Sequence, residues 1–418
     1  MRKHLVKFLT DPSHLPIIYI VTAQVNDRTQ RRILIDGTKL ADSASDGIRR
    51  FVSGLLGAMR SVAVQHPEWA VDVHVGSRII PLAEIDSWLT LPEPQPTGAA
   101  QFLRGALNLI RLRHQMRTTH YDVVHQTMPN TFDTFRRFRG ARLVTVHDLS
   151  HLACPQWQAA VNSESLERGL RDAIERNAWF STDTDFIRQE MISRCGLSNS
   201  AVTGAGCDRS LFHSQYSQEA KDAVRPKYSL PDAPFLLSVG TLEPRKNLLG
   251  TVRAYRRLLE TNPQTPLELV IVGKYGWGDL DEVYAAAKDC DRIHWLGSVP
   301  DEDLPLIYSQ AEALSYVSHY EGFGLPPLES MNCGVPVIYG AGTAVAEVVA
   351  DAGWAADPND VEQICDCFVE LVTQPDLREE RSRKAIARAE LFDWQRVAEA
   401  MWEQYMLVAE SPASRLAG

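Results

Sequence analysis

Short β-rich runs alternate with helical patterns along almost the whole chain, and this alternation constrains the fold more than any other feature. RILID (32–36) reads as a strand. Residues 47–59 follow as a helix, with Ile48, Phe51, Val52, Leu55 and Leu56 on one stripe. Strand patterns recur at 70–75, 121–126 and 142–147. A second series starts at FLLSV (235–239). It continues with a helix at 249–259, a strand at 267–272, a helix at 279–287, and strands at 293–296, 313–317 and 336–339. Strands that alternate with helices build parallel sheets covered on both faces. Between the two series, residues 208–231 are polar and proline-bearing, with no strong apolar period. They read as a linker near 210–230. The expected fold class is therefore α/β, with two Rossmann-like, doubly wound domains at 31–212 and 213–390. An N-terminal extension (1–30) precedes them. A C-terminal segment (391–418), amphipathic through Val397, Ala398, Met401 and Tyr405, is expected to pack back on the first domain. Two such domains face each other across a cleft, and ligands in such sheets bind outside the carboxyl ends of the strands.

Bulk properties exclude several function classes. The 418 residues carry a net charge of −10, so the surface as a whole is no template for nucleic acid. No apolar run reaches the roughly 18 residues that cross a bilayer. The early apolar run 15–23 is of strand length, and Asp11 and Pro12 break the stretch before it, so no signal peptide is expected. The seven cysteines are scattered without a CxxC pair, which fits free thiols in a reducing cytoplasm.

The unusual residues lie in the turns after strands. The densest group is SHYEGFGLPPLESMNCGVP (318–336). Gly322 and Gly324 let backbone approach a ligand without a Cβ in the way. Pro326 or Pro327 suits a first helical turn, whose N–H groups favour a phosphate. Glu321 and Glu329, eight residues apart, can accept from hydroxyls of two different sugar rings. The second group is VGTLEPRKNL (239–248), where Arg245 and Lys246 stand together at a helix start. Two cations there conflict with the helix dipole unless they neutralise an anion such as a diphosphate. The third is TVHDL (145–149), which places His147 at a strand's carboxyl end, with His125 as its competitor.

Other patterns carry less. Asp183-Thr-Asp185 and Asp289-Cys-Asp291 have the DxD form that holds a metal–nucleotide in another transferase fold, but DxD arises often by chance in charged loops. No G-x-x-x-x-G-K-[ST] occurs, and no G-x-G-x-x-G follows the first strand, which argues against P-loop and dinucleotide chemistry. A basic amphipathic stretch, FLRGALNLIRLRHQMR (102–117), could meet an anionic membrane surface; a core-packing helix is the plainer reading.

GTLEPRKN, LVIVGKYGWG (269–278) and EGFGLPPLESMNCGVPV together resemble the donor-binding half of retaining GT-B glycosyltransferases, family four. The last run resembles that family's Glu-x7-Glu element. GTAVAEVVAD (342–351) resembles the stretch that closes the site, and ILIDGTKL with DGIRRFV and TVHDL resembles the first domain more loosely. The resemblance implies that Arg245 and Lys246 hold the donor diphosphate and that Glu329 takes the ribose hydroxyls. It puts Glu321 and His147 beside the transferred sugar, making Glu321, His147, Arg245 and Lys246 the implied catalytic set. Gly240, Gly322, the Phe323, Gly324 and Leu325 amides, and the Gly47 turn complete the donor site. The chain departs from the family in its first 30 residues and in having only Gly47 where a glycine pair is usual.

The implied activity is transfer of a hexose, mannose first, from a GDP- or UDP-linked donor with retention of configuration and no metal or other cofactor. The implied acceptor is a glycan or lipid-linked molecule in bacterial surface polysaccharide or lipopolysaccharide assembly, reached from the cytoplasm or the inner membrane face. The alternative is an inactive nucleotide-sugar-binding or scaffold protein of the same fold; the presence of Arg245, Lys246, Glu321 and Glu329 speaks against it.

Overall fold

The computed structural model describes residues 30–42, 46–76, 78–90, 114–115, 118–131, 135, 140–158 and 160–411. The N-terminal extension, Gln30 excepted, and the basic stretch 102–117, His114 and Gln115 excepted, lie outside the described residues.

Seven strands form the first sheet: β1 (Arg31–Asp36), β2 (Trp69–Val75), β3 (Arg78–Pro81), β4 (Val123–Gln126), β5 (Ala141–Val146), β6 (Trp179–Thr182) and β7 (Ser200–Val202). Their order is β3-β2-β1-β4-β5-β6-β7, and only the β2–β3 pair is antiparallel. Six strands form the second: β8 (Phe235–Val239), β9 (Glu268–Val272), β10 (Ile293–Gly297), β11 (Ala313–Tyr316), β12 (Val337–Gly340) and β13 (Gly353–Ala356). All are parallel, in the order β10-β9-β8-β11-β12-β13. Ile33, Leu34 and Ile35 are all fully buried, as expected of a parallel strand covered on both faces. In each sheet the order reverses beside the first strand, between β1 and β4 and between β8 and β11. Such a switch point opens a crevice at the carboxyl ends. Two sheets of this kind are the GT-B arrangement that the resemblance implies.

Seven helices matter for the site: α1 (Gly47–Ala63), α2 (Asp185–Cys195), α3 (Gln218–Tyr228), α4 (Leu248–Thr261), α5 (Leu325–Asn332), α6 (Val345–Val349) and α7 (Trp394–Glu410). The expected linker at 210–230 needs correction, because α3 occupies half of it. Ser217 caps α3 by accepting from the Ala220 amide, and Val224 is its one buried residue, so the helix shows no apolar stripe in the sequence. Lys227 and Tyr228 bond Asp303, which fastens α3 to the second domain.

Helix α7 returns to the first domain and packs on α1 through buried Val397, Ala398 and Met401. Its Tyr405 hydroxyl lies 2.8 Å from His125 Nδ1, and Thr145 Oγ1 lies 2.8 Å from Nε2. Both ring nitrogens of His125 are thus satisfied in the core, and burial lowers its pKa to about 3. It is a neutral structural histidine. The Trp394 ring sits against α1 where a Cβ added at Gly54 would lie 2.1 Å from it. Glycine to alanine inside a helix normally stabilises by about 1 kcal/mol. Here Gly54→Ala is expected to destabilise by about 1–3 kcal/mol through overpacking, read as a lower denaturation midpoint.

Candidate active site

The two motifs after β8 and β11 flank the second sheet's switch point. Glu243 precedes a single 3-10 turn, Pro244–Lys246, and Asn247 then caps α4 by accepting from the Gly250 amide. Arg245 and Lys246 therefore sit in a turn before the helix and not in its first turn. The cause is local: Pro244 starts the turn, and Asn247 adopts a left-handed conformation with φ 54°.

Neither cation is free. Arg245 Nη2 contacts Glu243 Oε1 at 2.5 Å, and its Nη1 donates to the Tyr320 carbonyl at 2.7 Å and lies 3.2 Å from Glu321 Oε2. Lys246 Nζ lies 2.6 Å from Glu321 Oε1 and 2.6 Å from the Tyr316 hydroxyl oxygen. Two cations thus meet two carboxylates, which resolves the conflict of adjacent charges beside a helix start. Burial alone would raise the Glu321 pKa, but Lys246 and Arg245 overcome it and set it at about 2. Burial lowers the Lys246 pKa despite Glu321, and burial raises that of Glu243 despite Arg245.

After β11 the chain turns through Gly322 and Gly324 into α5. Gly324 has φ 98° and no side-chain cap bond follows it. Pro326 and Pro327 have no N–H, so the amides of Phe323, Gly324 and Leu325 are the donors of this turn. Phe323 is buried against Phe392, with ring centroids 5.8 Å apart. Gly240 after β8 has φ 153° and lies beside the Lys246 stem. Gly47 starts α1 after its Asp46 cap and faces Leu325, whose Cδ1 lies 3.6 Å from where its Cβ would be.

Gly322 has a different neighbour from the one the sequence suggests. A Cβ there would lie 1.9 Å from the His147 carbonyl oxygen, so the close approach is to the first domain's backbone. Further contacts close the cleft around this point. The Thr184 hydroxyl donates to the Gly322 carbonyl at 3.0 Å, and the Leu149 amide donates to the Tyr320 hydroxyl at 3.1 Å. Glu347 on α6 accepts from the Asp185 and Phe186 amides at the start of α2. Trp157 stacks on His319 at 4.5 Å, and its carbonyl accepts from Trp277 Nε1.

His147 also points inward. Its Nδ1 lies 2.7 Å from Asp183 Oδ2 and its Nε2 lies 3.0 Å from the Thr127 carbonyl. Both partners only accept, so the ring is held with both nitrogens protonated. Burial opposes that charge, but Asp183 and the Thr127 carbonyl raise the pKa above 6.5. The stabilisation is complete below about pH 6.5 and is lost as pH rises through the raised folded value. Asp183→Asn is expected to lower the thermal midpoint more at about pH 6 than at about pH 9. An equal loss at both values would contradict the charged pair. Asp183-Thr-Asp185 thus divides its labour: Asp183 holds His147, Thr184 caps α2, and Asp185 pairs with Arg188.

Glu329, on α5, is buried at 3% exposure. Its Oε1 accepts from Arg50 on α1 and its Oε2 accepts from the Tyr308 hydroxyl at 3.2 Å. Arg50 also pairs with Asp301 after β10. Arg50, Asp301, Tyr308 and Tyr316 are site residues that motif reading missed, and Asp183, singled out only within a DxD pattern, is the partner of His147. The signal for Arg50 was present: Arg49 and Arg50 are two cations in the first turn of a helix, where the dipole disfavours them.

The family model described as glycosyl transferases group 1 matches residues 220–388, which hold both motifs. The O-antigen chain mannosyltransferase B of Escherichia coli is 34% identical over 270 residues, covering 64% of this chain and 70% of that protein. The serotype-specific mannosyltransferase WbdA of Escherichia coli is 30% identical over 207 residues, 49% of this chain, but the match spans only 25% of its length. Among solved structures, the sucrose-phosphate synthase of Thermosynechococcus elongatus superimposes with TM-score 0.68 over 91% of this chain and 100% of that one, at 20% identity. That last likeness concerns the fold. With the motif-bearing domain matched by the family model and a relative at 34% identity covered over most of its length, the chain belongs to the glycosyl transferases group 1 family.

Proposed function

We propose that this glycosyltransferase moves mannose from a nucleotide-diphosphate sugar, GDP- or UDP-linked, to a glycan or lipid-linked acceptor in bacterial surface polysaccharide assembly. The observation that carries the reading is Glu321, a buried carboxylate held by Lys246 and Arg245 at the switch point of the second sheet. The names of the Escherichia coli relatives support mannose and a surface polysaccharide.

Breaking the bond from the anomeric carbon to phosphate makes an oxocarbenium-like sugar and a dianionic leaving group. Catalysis requires that this departing charge be stabilised more than the ground state. Arg245, Lys246 and the Phe323–Leu325 amides would supply that without a metal. Both Glu321 oxygens are engaged by cations, and its pKa of about 2 makes it a poor base near neutral pH. Glu321 therefore positions the sugar and the two cations, and the leaving phosphate takes the acceptor's proton. Departure and attack on the same face would give retention. Among the described residues no helix is long and apolar enough to cross a membrane. A lipid-linked acceptor would then be met at the inner membrane face, for which the basic stretch 102–117 is the sequence support.

A panel of nucleotide sugars tests the donor site by thermal shift and release of free nucleotide. One nucleotide sugar should stabilise the wild type by mass action, and Glu329→Ala and Lys246→Ala should lose that response. No shift and no turnover with any donor would overturn the reading in favour of a scaffold protein.

A further inference from the structure

Glu329, read as the ribose partner, is already engaged in the ligand-free protein. Ribose hydroxyls must donate to this carboxylate, which is only 3% exposed and whose two oxygens each already accept one bond. One donor is the Arg50 guanidinium, which arrives from the other domain; the second is the Tyr308 hydroxyl. The second carboxylate that Arg50 touches, Asp301, lies in the turn after β10, at the carboxyl edge of the donor sheet. Arg50 thus ties α5 to the turn after β10 from the first domain. The Phe212 ring lies 5.9 Å from its guanidinium carbon.

We infer that Arg50 is a positioning residue of the donor site: in the ligand-free protein its guanidinium stands in for the ribose hydroxyls on Glu329, and nucleotide binding exchanges one for the other. This rests on the ribose reading of Glu329. Physical reasons favour such an exchange. A carboxylate only 3% exposed with a single neutral hydroxyl as partner is costly, so an empty site favours a substitute donor. Arginine suits the task because its planar fork can satisfy two carboxylates at once, here Glu329 and Asp301. The substitute comes from α1, so it also draws the first domain onto the second. Nucleotide entry is thereby coupled to release of an interdomain tie. The arrangement reduces apparent nucleotide affinity, because part of the binding energy goes into displacing Arg50.

The sign of one substitution separates this role from a structural or phosphate-binding one. GDP and UDP binding to the full chain would be measured by calorimetry for wild type, Arg50→Ala, Asp301→Asn and Glu329→Ala. Arg50→Ala leaves Glu329 short of a donor until ribose arrives, so it should bind the nucleotide about fivefold tighter or more. Asp301→Asn loosens Arg50 without touching Glu329 and should shift affinity in the same direction by less. It serves as the second test should Arg50→Ala fold poorly. Glu329→Ala should bind more weakly than wild type. Unchanged or weaker binding by Arg50→Ala, with Glu329→Ala also weak, would overturn the exchange while leaving the donor site in place. Glu329→Ala binding as well as wild type would instead remove the ribose reading beneath it.

Discussion

Arg245→Ala is expected to lower sugar transfer steeply and to destabilise the chain by about 3–5 kcal/mol, since it breaks a buried charge network by removing one partner. Arg245 lies between Glu243 and Glu321, which are 2% and 5% exposed. Without the guanidinium, Lys246 alone faces two buried carboxylates, and the Tyr320 carbonyl loses its donor. The fall in turnover should reach about 10²–10³-fold beyond any unfolding, the usual scale for removing one preorganised donor to developing charge. Arg245→Lys keeps the charge but not the fork, and should recover stability better than activity. Denaturant midpoints with single-turnover assays check both parts. Full activity in Arg245→Ala would place the chemistry elsewhere.

Gly322→Ala should separate closure from binding. Its new Cβ would lie 1.9 Å from the His147 carbonyl, a backbone atom that cannot step aside cheaply. The two domains would be held apart at that point, and the His147 segment would no longer seat against the Glu321 turn. A displacement of about 1 Å at a reacting centre can cost about 100-fold in rate, and closure that completes a catalytic site is a common requirement. Turnover should therefore drop on that scale. Nucleoside diphosphate binding should survive, because Lys246, Arg245 and the α5 turn all belong to the second domain. If turnover and binding fell together, Gly322 would matter within the donor site itself and not for closure.

Much of this was legible in the residues, for identifiable reasons. Strands such as β1, β8 and β9 are continuous apolar runs bounded by turn residues, and α1 and α4 carry clear apolar stripes. The strands β3, β6, β7 and β13 (RIIP, WFST, SAV and GWAA) are three or four residues long and, unlike β4, β11 and β12 of similar length, lie in no longer run that reads as a strand. Helix α3 escaped because it buries little. The two motif turns could be read as sites because glycine, proline and adjacent charges break local rules there. What those turns touch could not. Sequence spacing does not say that Glu243 lies behind Arg245, that Gly322 seats on the His147 carbonyl, or that Arg50 reaches Glu329 from 279 residues away. These contacts depend on how two separate sheets meet.

The measurement closest to the central claim is the anomeric configuration of the product. Purified chain would be given a mannosyl donor of defined anomer and a mannose-terminated acceptor, and the new linkage would be assigned by NMR from its one-bond C1–H1 coupling. The expected product is a new glycosidic bond with the donor's own configuration, formed by wild type and about 10²–10³-fold more slowly by Arg245→Ala. A product of inverted configuration would contradict same-face transfer assisted by the leaving phosphate. Intact donor with no transferred sugar, from any nucleotide sugar tried, would contradict the enzyme itself.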